Sequence, residues 1–337
     1  MQPAAGAGLL RRRSGYAVGM PSAPAPRVGI AAASLAVYLS WGSAYLAMQY
    51  GFATVPPLLL AGGRLVLAGV LMTGYALLGG HRLHPAQLKP VVITGALLFL
   101  GGHGLLYWGQ ARGVPSGLAA VLYATIPLWV VLLEGLSPSG IRLGGRALLG
   151  LALGTVGVLL LVGPAHLLGG GGLDLAGAAA ISAGSLFWAL GSLYAVRAAL
   201  PASAALAGGL EMFCGGVLLL GAALALGEAR GFHLSQVSRA SLAGVGYLVV
   251  VSSMVGFSCY LWLLKATSAA RVSTYAYVTP LVAVGLGWAL AGEPVTRRTA
   301  GAVALLLSAV ALIVRQQSKS PTPVLAAELD AQGAVAP

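Results

Sequence analysis

The chain has 337 residues, 58% hydrophobic and 8% charged, and its mean hydropathy is +0.90. A soluble domain carries about 25% charged residues, so this chain cannot cover a water-facing surface and reads as an all-α integral membrane protein. The net charge of +12 does not point to nucleic acid, because the Lys and Arg residues sit mostly between apolar runs, where membrane topology places them.

The N-terminal stretch 1–27 carries Arg11, Arg12 and Arg13 and then a Pro/Ala-rich run. It lacks the long apolar core and small-residue cleavage site of a signal peptide. It reads as a disordered basic tail, with Met20 as an alternative start. About ten spans follow, near 28–48, 58–79, 90–111, 115–135, 146–163, 175–197, 203–226, 241–263, 270–291 and 299–315, each close to the roughly 20 apolar residues that cross a bilayer. The runs are continuous and lack period-two alternation, which argues against strands. The tail 316–337 is polar, rich in Pro and Ala, and expected to be disordered. Cys214 and Cys259 both fall inside spans, so no disulfide framework is indicated.

The Lys/Arg bias orients the chain. With the N-terminus in the cytoplasm, roughly 13 basic residues lie inside against 5 outside, and Arg64 stays within a span. Both termini are then cytoplasmic. The outward pair Arg297-Arg298 is the weakest point of that assignment.

An internal repeat organises the spans. Gly62-x-Arg64-x4-Gly69-Val70-Leu71 returns as Gly209-x-Glu211-x4-Gly216-Val217-Leu218, and Gly42-Ser43-x-Tyr45 as Gly191-Ser192-x-Tyr194. Tyr107-x4-Arg112-x14-Pro127 matches Tyr260-x4-Lys265-x14-Pro280 at identical spacing. Gly150 and Gly301 open the last span of each half. Five spans per half is an odd number, so the second half enters the membrane inverted, an arrangement recurrent in secondary transporters.

Several residues could carry chemistry. Arg64 and Glu211 are ionisable groups within spans, and such groups either hold the fold or mark a substrate path. Arg64 sits about 9 Å from the outer end of its helix and Glu211 about 12 Å from the inner end of its own, at 1.5 Å per residue. A direct pair between them is possible but not required. His103 lies mid-span between glycines, suited to carry a proton or to bond a neighbouring helix. Trp41, Tyr45, Tyr123, Trp188, Tyr194 and Tyr275 either line a cavity or pack the core, while Trp108 and Trp262 fit interfacial belts. Pro127 and Pro280 should kink their helices, as hinges or as plain architecture. Gly150-x3-Gly154 reads as close helix packing. Glu134 and Glu293, at span ends, read as solvated carboxylates.

The opening WGSAYLAMQYG, the prolines followed by Arg64, and the closing GEPVTRRTAGAVALLLSAVALIV resemble the drug/metabolite transporter superfamily, EamA-domain branch. The resemblance covers about residues 28–315. It implies two inverted five-helix EamA repeats, 28–163 and 175–315, around a central cavity. It also implies a secondary transporter, often an exporter of amino acids or related metabolites. The connection LEGLSPSGIRLGGRALLG departs from the pattern, being longer than GEPVTRRTAG. An arginine at position 64 is common in that family, which leaves room for a role in the fold.

Enzyme motifs are absent: there is no GxSxG, HExxH, Walker A or CxxC. His81-x2-His84 lacks an acidic third ligand, so no metal and no cofactor are expected. Without an ATP-binding motif, transport must run on a gradient. The expectation is a multi-pass plasma-membrane exporter working by alternating access, with proton coupling preferred. An uncoupled permease is the first alternative, and a membrane-embedded enzyme or sensor the second. The partners are a small-molecule substrate and the lipid bilayer, and a homo-oligomer is compatible with all of this.

Overall fold

The computed structural model describes residues 27–136, 145–162, 174–266 and 275–317. The two tails and the connection 137–144 lie outside the described residues, as do the side chains of Glu134 and Tyr277. Among the described residues the structure is helical, without strands.

The helices are α1 (Arg27–Phe52), α2 (Pro57–Leu78), α3 (Pro85–Ala111), α4 (Ser116–Tyr123), α5 (Ile126–Leu136) and α6 (Gly145–Val162) in the first half. The second half holds α7 (Leu175–Arg197), α8 (Ala204–Ala225), α9 (239–266), α10 (Tyr275–Ala291) and α11 (Arg297–Gln317). Together α4 and α5 make one span, so ten spans result. Among the described residues, six helices are long and apolar enough to cross a membrane by length and composition alone. We call the side where α1 begins the near face and the opposite side the far face.

Helix starts follow from local chemistry. Pro57 opens α2 at a position whose N–H has no intrahelical partner in any case. Asp174, Ser203 and Ser238 cap α7, α8 and α9, each accepting from a backbone N–H three residues on.

Glycines set the closest contacts. Helices α2 and α8 pack along their length. A Cβ on Gly69 would meet the Gly209 carbonyl at 2.7 Å, and one on Gly62 the Gly216 carbonyl at 2.9 Å. The repeat pairs Gly62 with Gly209 and Gly69 with Gly216, so each glycine touches the counterpart of the other. That contact is self-complementary, as an inverted repeat requires. In the same way α3 meets α7 through Gly109 on Gly177 and Gly102 on Gly184. At one edge α6 lies along α11, with Gly157 against Leu306.

Two irregularities interrupt the spans. Both α3 and α9 contain π-helical segments, Ala96–His103 and Leu248–Gly256. Aligned on Tyr107 and Tyr260, they occupy equivalent places in the two halves. The chain around them is rich in small residues, Gly101 and Gly102 in one and Ser252, Ser253 and Gly256 in the other, which leave room for the wider turn. The second irregularity concerns the prolines. The span with Pro127 is broken outright at Ala124–Thr125, and Pro127 falls in the first turn of the new helix, where its missing N–H costs nothing. Pro280 instead sits inside a continuous α10. Polar side chains support the break: Thr125 Oγ1 donates to the Leu122 carbonyl at 2.6 Å and lies 3.0 Å from Ser185 Oγ, which also receives Trp129 Nε1 at 2.9 Å.

Candidate functional site

The centre of the bundle holds a cation. Arg64, on α2, is only 4% exposed. Its Nη1 donates to Ser253 Oγ at 3.0 Å, and its guanidinium lies over the Tyr107 ring, 5.2 Å from the centroid. Arg64 thus joins α2 of the first half to the π segment of α9 in the second. Its Nε has no hydrogen-bonding partner among the described residues.

Around Tyr107 the rings form a group. His103 stacks on Phe99 at 5.3 Å and on Tyr123 at 6.3 Å, and meets Trp188 edge-on at 5.0 Å. Tyr123 and Trp188 are 6.0 Å apart. Three of these rings come from α3, one from α4, and Trp188 from α7 of the other half. His103 Nδ1 and the hydroxyls of Tyr107 and Tyr123 are buried without a hydrogen-bonding partner among the described residues. Buried polar atoms are nearly always satisfied, so three of them beside an incompletely bonded arginine call for an explanation.

A second ring group answers the first. Trp41 lies 5.2 Å from Tyr260 and 4.9 Å from Tyr275, and Phe257 is 6.1 Å from Tyr260. Here α9 and α10 of the second half supply three rings and α1 of the first supplies the tryptophan. The composition mirrors the first group, in which α3 and α4 are joined by the tryptophan of α7. Trp41, Tyr260 and Tyr275 sit nearer the near face, in a cluster with Val37 and Leu263 apart from the main core, while Phe257 packs against the main core. Trp41 Nε1 donates to the Ser252 carbonyl at 3.2 Å, so α1 and α2 both attach to the same π segment, at adjacent residues.

Glu211 is 8% exposed on α8 and makes no ion pair or side-chain hydrogen bond among the described residues. Arg64 and Glu211 therefore are not partners. The repeat explains the difference. Ser253 corresponds to Leu100 in the first half, so the helix facing Glu211 offers no hydroxyl where Arg64 finds one. Gly208, Glu211 and Gly215 share one face of α8, against Phe257 and Phe99, which places Glu211 between the two ring groups.

The profile of the EamA-like transporter family matches residues 27–163 and 175–315. The chain belongs to the EamA-like transporter family. The two matched regions coincide with the two inverted halves. This EamA-like protein is 36% identical over 299 residues to the "Uncharacterized inner membrane transporter YedA" of Escherichia coli (strain K12), covering 87% of this chain and 94% of that one. It is 25% identical over 282 residues to the "Probable amino-acid metabolite efflux pump" of the same organism, covering 78% and 87%. A solved crystal structure superposes with a TM-score of 0.58 at 18% identity, covering 84% of this chain and 96% of the other, and shares the fold.

Within this EamA-like transporter, the sequence-expected residues divide. Arg64, His103, Tyr123 and Trp188 come together, and Trp41 and Tyr275 form the second group. Tyr45 packs against the main core, where its carbonyl accepts from Gln110 Nε2 at 2.6 Å. Tyr194 joins neither group. Glu293 is not the solvated carboxylate expected at a span end. Its Oε1 accepts from the Ser116 N–H at 2.7 Å and from Gln49 Nε2 at 3.0 Å, and its Oε2 from the Gly117 N–H at 3.0 Å. Sequence reasoning also passed over Ser253, Phe99 and Tyr107 as site residues, although Tyr107 already marked the repeat.

The far face uses its other described carboxylates in the same manner. Glu228 Oε2 accepts from the N–H groups of Leu58 and Leu59 at 2.9 and 3.1 Å, capping α2. Burial pushes its carboxyl above the ordinary range, and those two bonds pull it back. Asp174 caps α7 and pairs with Arg112 at 2.7 Å. The Arg112 hydrogen bond, then the Gly177 N–H, hold its carboxyl below the ordinary range.

Proposed function

We propose that this chain is a secondary active exporter of small metabolites such as amino acids, working by alternating access and coupled to protons. It resides in the plasma (inner) membrane with both termini cytoplasmic. The observation that carries this reading is the set of buried polar atoms left without partners around Arg64: its own Nε, His103 Nδ1 and the hydroxyls of Tyr107 and Tyr123. A substrate carboxylate would receive the guanidinium, and its remaining polar atoms would meet the hydroxyls and the imidazole. The rings beside them suit an apolar side chain. Glu211 supplies the complementary group. A carboxyl enclosed by protein without a partner is tolerated as the neutral acid or beside a cation, so it can take up either a proton or a substrate ammonium. The name of the efflux-pump relative supports the substrate class and the direction.

The test is a resistance screen in cells overexpressing the protein. At least one amino acid or amino-acid analogue is expected to become less toxic, with lower intracellular content. Abolishing the proton gradient should remove the effect. Protection that survives gradient collapse would favour the uncoupled permease. No protection across amino acids and analogues would overturn the substrate class.

Orientation has its own test. A reporter fused after Gln316 should behave as cytoplasmic, and one inserted within 165–173 as external. An external signal from the C-terminal fusion would reverse the assignment.

A further inference from the structure

We propose that Glu293 is the latch that holds the far face of this transporter closed. The carboxylate sits on the turn just beyond α10. Gly292 adopts φ +65° there, a left-handed value that glycine takes without strain, and the Glu293 N–H bonds back to the Gly287 carbonyl at 3.0 Å. From that turn the side chain reaches two other helices. It caps the first two N–H groups of α4 and holds Gln49 on α1. One anion therefore ties together α1, α4 and α10, drawn from both halves.

The side chains of α10 meet α1 and α4 through smooth apolar contacts. Gly42 of α1 faces Val282, and Gly117 of α4 faces Val284. Glycine against valine lets helices approach closely but fixes no register by hydrogen bonding. The polar tie at the far end supplies that register. A second observation argues that the seam is built to open. Ser116 Oγ is buried with no partner among the described residues, and so is Gln110 Oε1, at the same end of the bundle. A permanently closed seam has no reason to keep two dry, unsatisfied polar groups. Opening the far face would wet both and offset part of the cost of releasing Glu293.

Glu228 is the instructive contrast. It too follows a left-handed glycine, Gly227 at φ +79°, and caps a helix of the other half. Its target α2, however, is already packed along its length on α8, so its bonds join elements that stay together. Glu293 binds across a seam held by fewer contacts.

The test reads accessibility rather than transport, so it stands apart from the exporter reading. In full-length protein with Cys214 and Cys259 replaced by serine, Ala120→Cys places a thiol one turn below Ser116. Ala120 is buried, at 1% exposure. Its reaction with a membrane-impermeant maleimide is timed from the far face. Glu293→Gln turns an amide N–H toward donors that need an acceptor and should raise the rate at least tenfold. Gly287→Ala leaves Glu293 intact, but its new Cβ collides with the carboxylate, and it should do the same. Glu228→Gln should stay within twofold of the parent. Unchanged rates in Glu293→Gln and Gly287→Ala at normal folded abundance would overturn the latch. Equal acceleration by Glu228→Gln would overturn it too, by showing general loosening.

Discussion

Gly69→Leu is expected to eliminate folded protein from the membrane, to below about a tenth of the parent amount by size-exclusion chromatography of a fluorescent fusion, a loss of more than ~1.4 kcal/mol. The Cβ would stand 2.5 Å from the Phe213 nitrogen and 2.7 Å from the Gly209 carbonyl. Both obstacles are backbone, so no rotamer change relieves them, and α2 and α8 must separate. Inside a bilayer that separation forfeits the close packing that brings such helices together. Gly63→Leu is the control. It lies on the same helix with nothing within 4 Å of a Cβ, and it should accumulate normally. Similar losses in both variants would mean that helix propensity or lipid contact, not the glycine contact, governs the outcome.

Arg64→Gln is expected to insert and fold yet lose transport by at least tenfold. A glutamine keeps a donor for Ser253 but not the charge, and a charged hydrogen bond to a substrate carboxylate contributes about 1.5–3 kcal/mol, which is tenfold or more. Glu211→Gln should also insert and lose coupled transport. Because the two side chains do not pair, Arg64→Leu/Glu211→Leu should accumulate no better than the poorer single leucine variant. Recovery of expression in the double variant would contradict the separation described above. Normal transport in both glutamine variants would remove Arg64 and Glu211 from the site.

The halves and the ionisable centre were legible because they rest on rare events in an apolar sequence. Arg64 and Glu211 stand out where charge is otherwise absent, and the paired Tyr107 and Tyr260 spacing fixes the repeat. His103, Tyr123 and Trp188 were legible as types, not as a group, because ring contacts depend on how α3, α4 and α7 meet. Tyr194 shows the limit. Its place in the Gly-Ser-x-Tyr echo matched Tyr45, yet neither residue enters a ring group. The π segments left no periodicity to read, since a single wide turn shifts the helical phase only locally. Pro127 and Pro280 look equivalent in sequence, and the outcome differs because Thr125, Ser185 and Trp129 satisfy a break on one side. Glu293 read as a solvated carboxylate and Glu228 went unremarked, although both follow a glycine at the end of an apolar run. The Gly-Glu pair signals a helix stop, but what the carboxylate then caps belongs to a helix far away in the chain.

The self-complementary contact between α2 and α8 has an energetic consequence. If the halves alternate as proposed, a junction that reads the same after exchanging them favours neither of their two tilts. If the rest of the chain were equally symmetric, outward and inward states would be isoenergetic and each occupied half of the time. The bias must therefore come from the places where the repeat is broken. Glu293, Ser253 opposite Leu100, and the split between α4 and α5 are such places. Substitutions that make the two halves more alike should bring the populations toward parity, so in the proposed cycle the resting orientation is encoded in the differences between the halves rather than in their common fold.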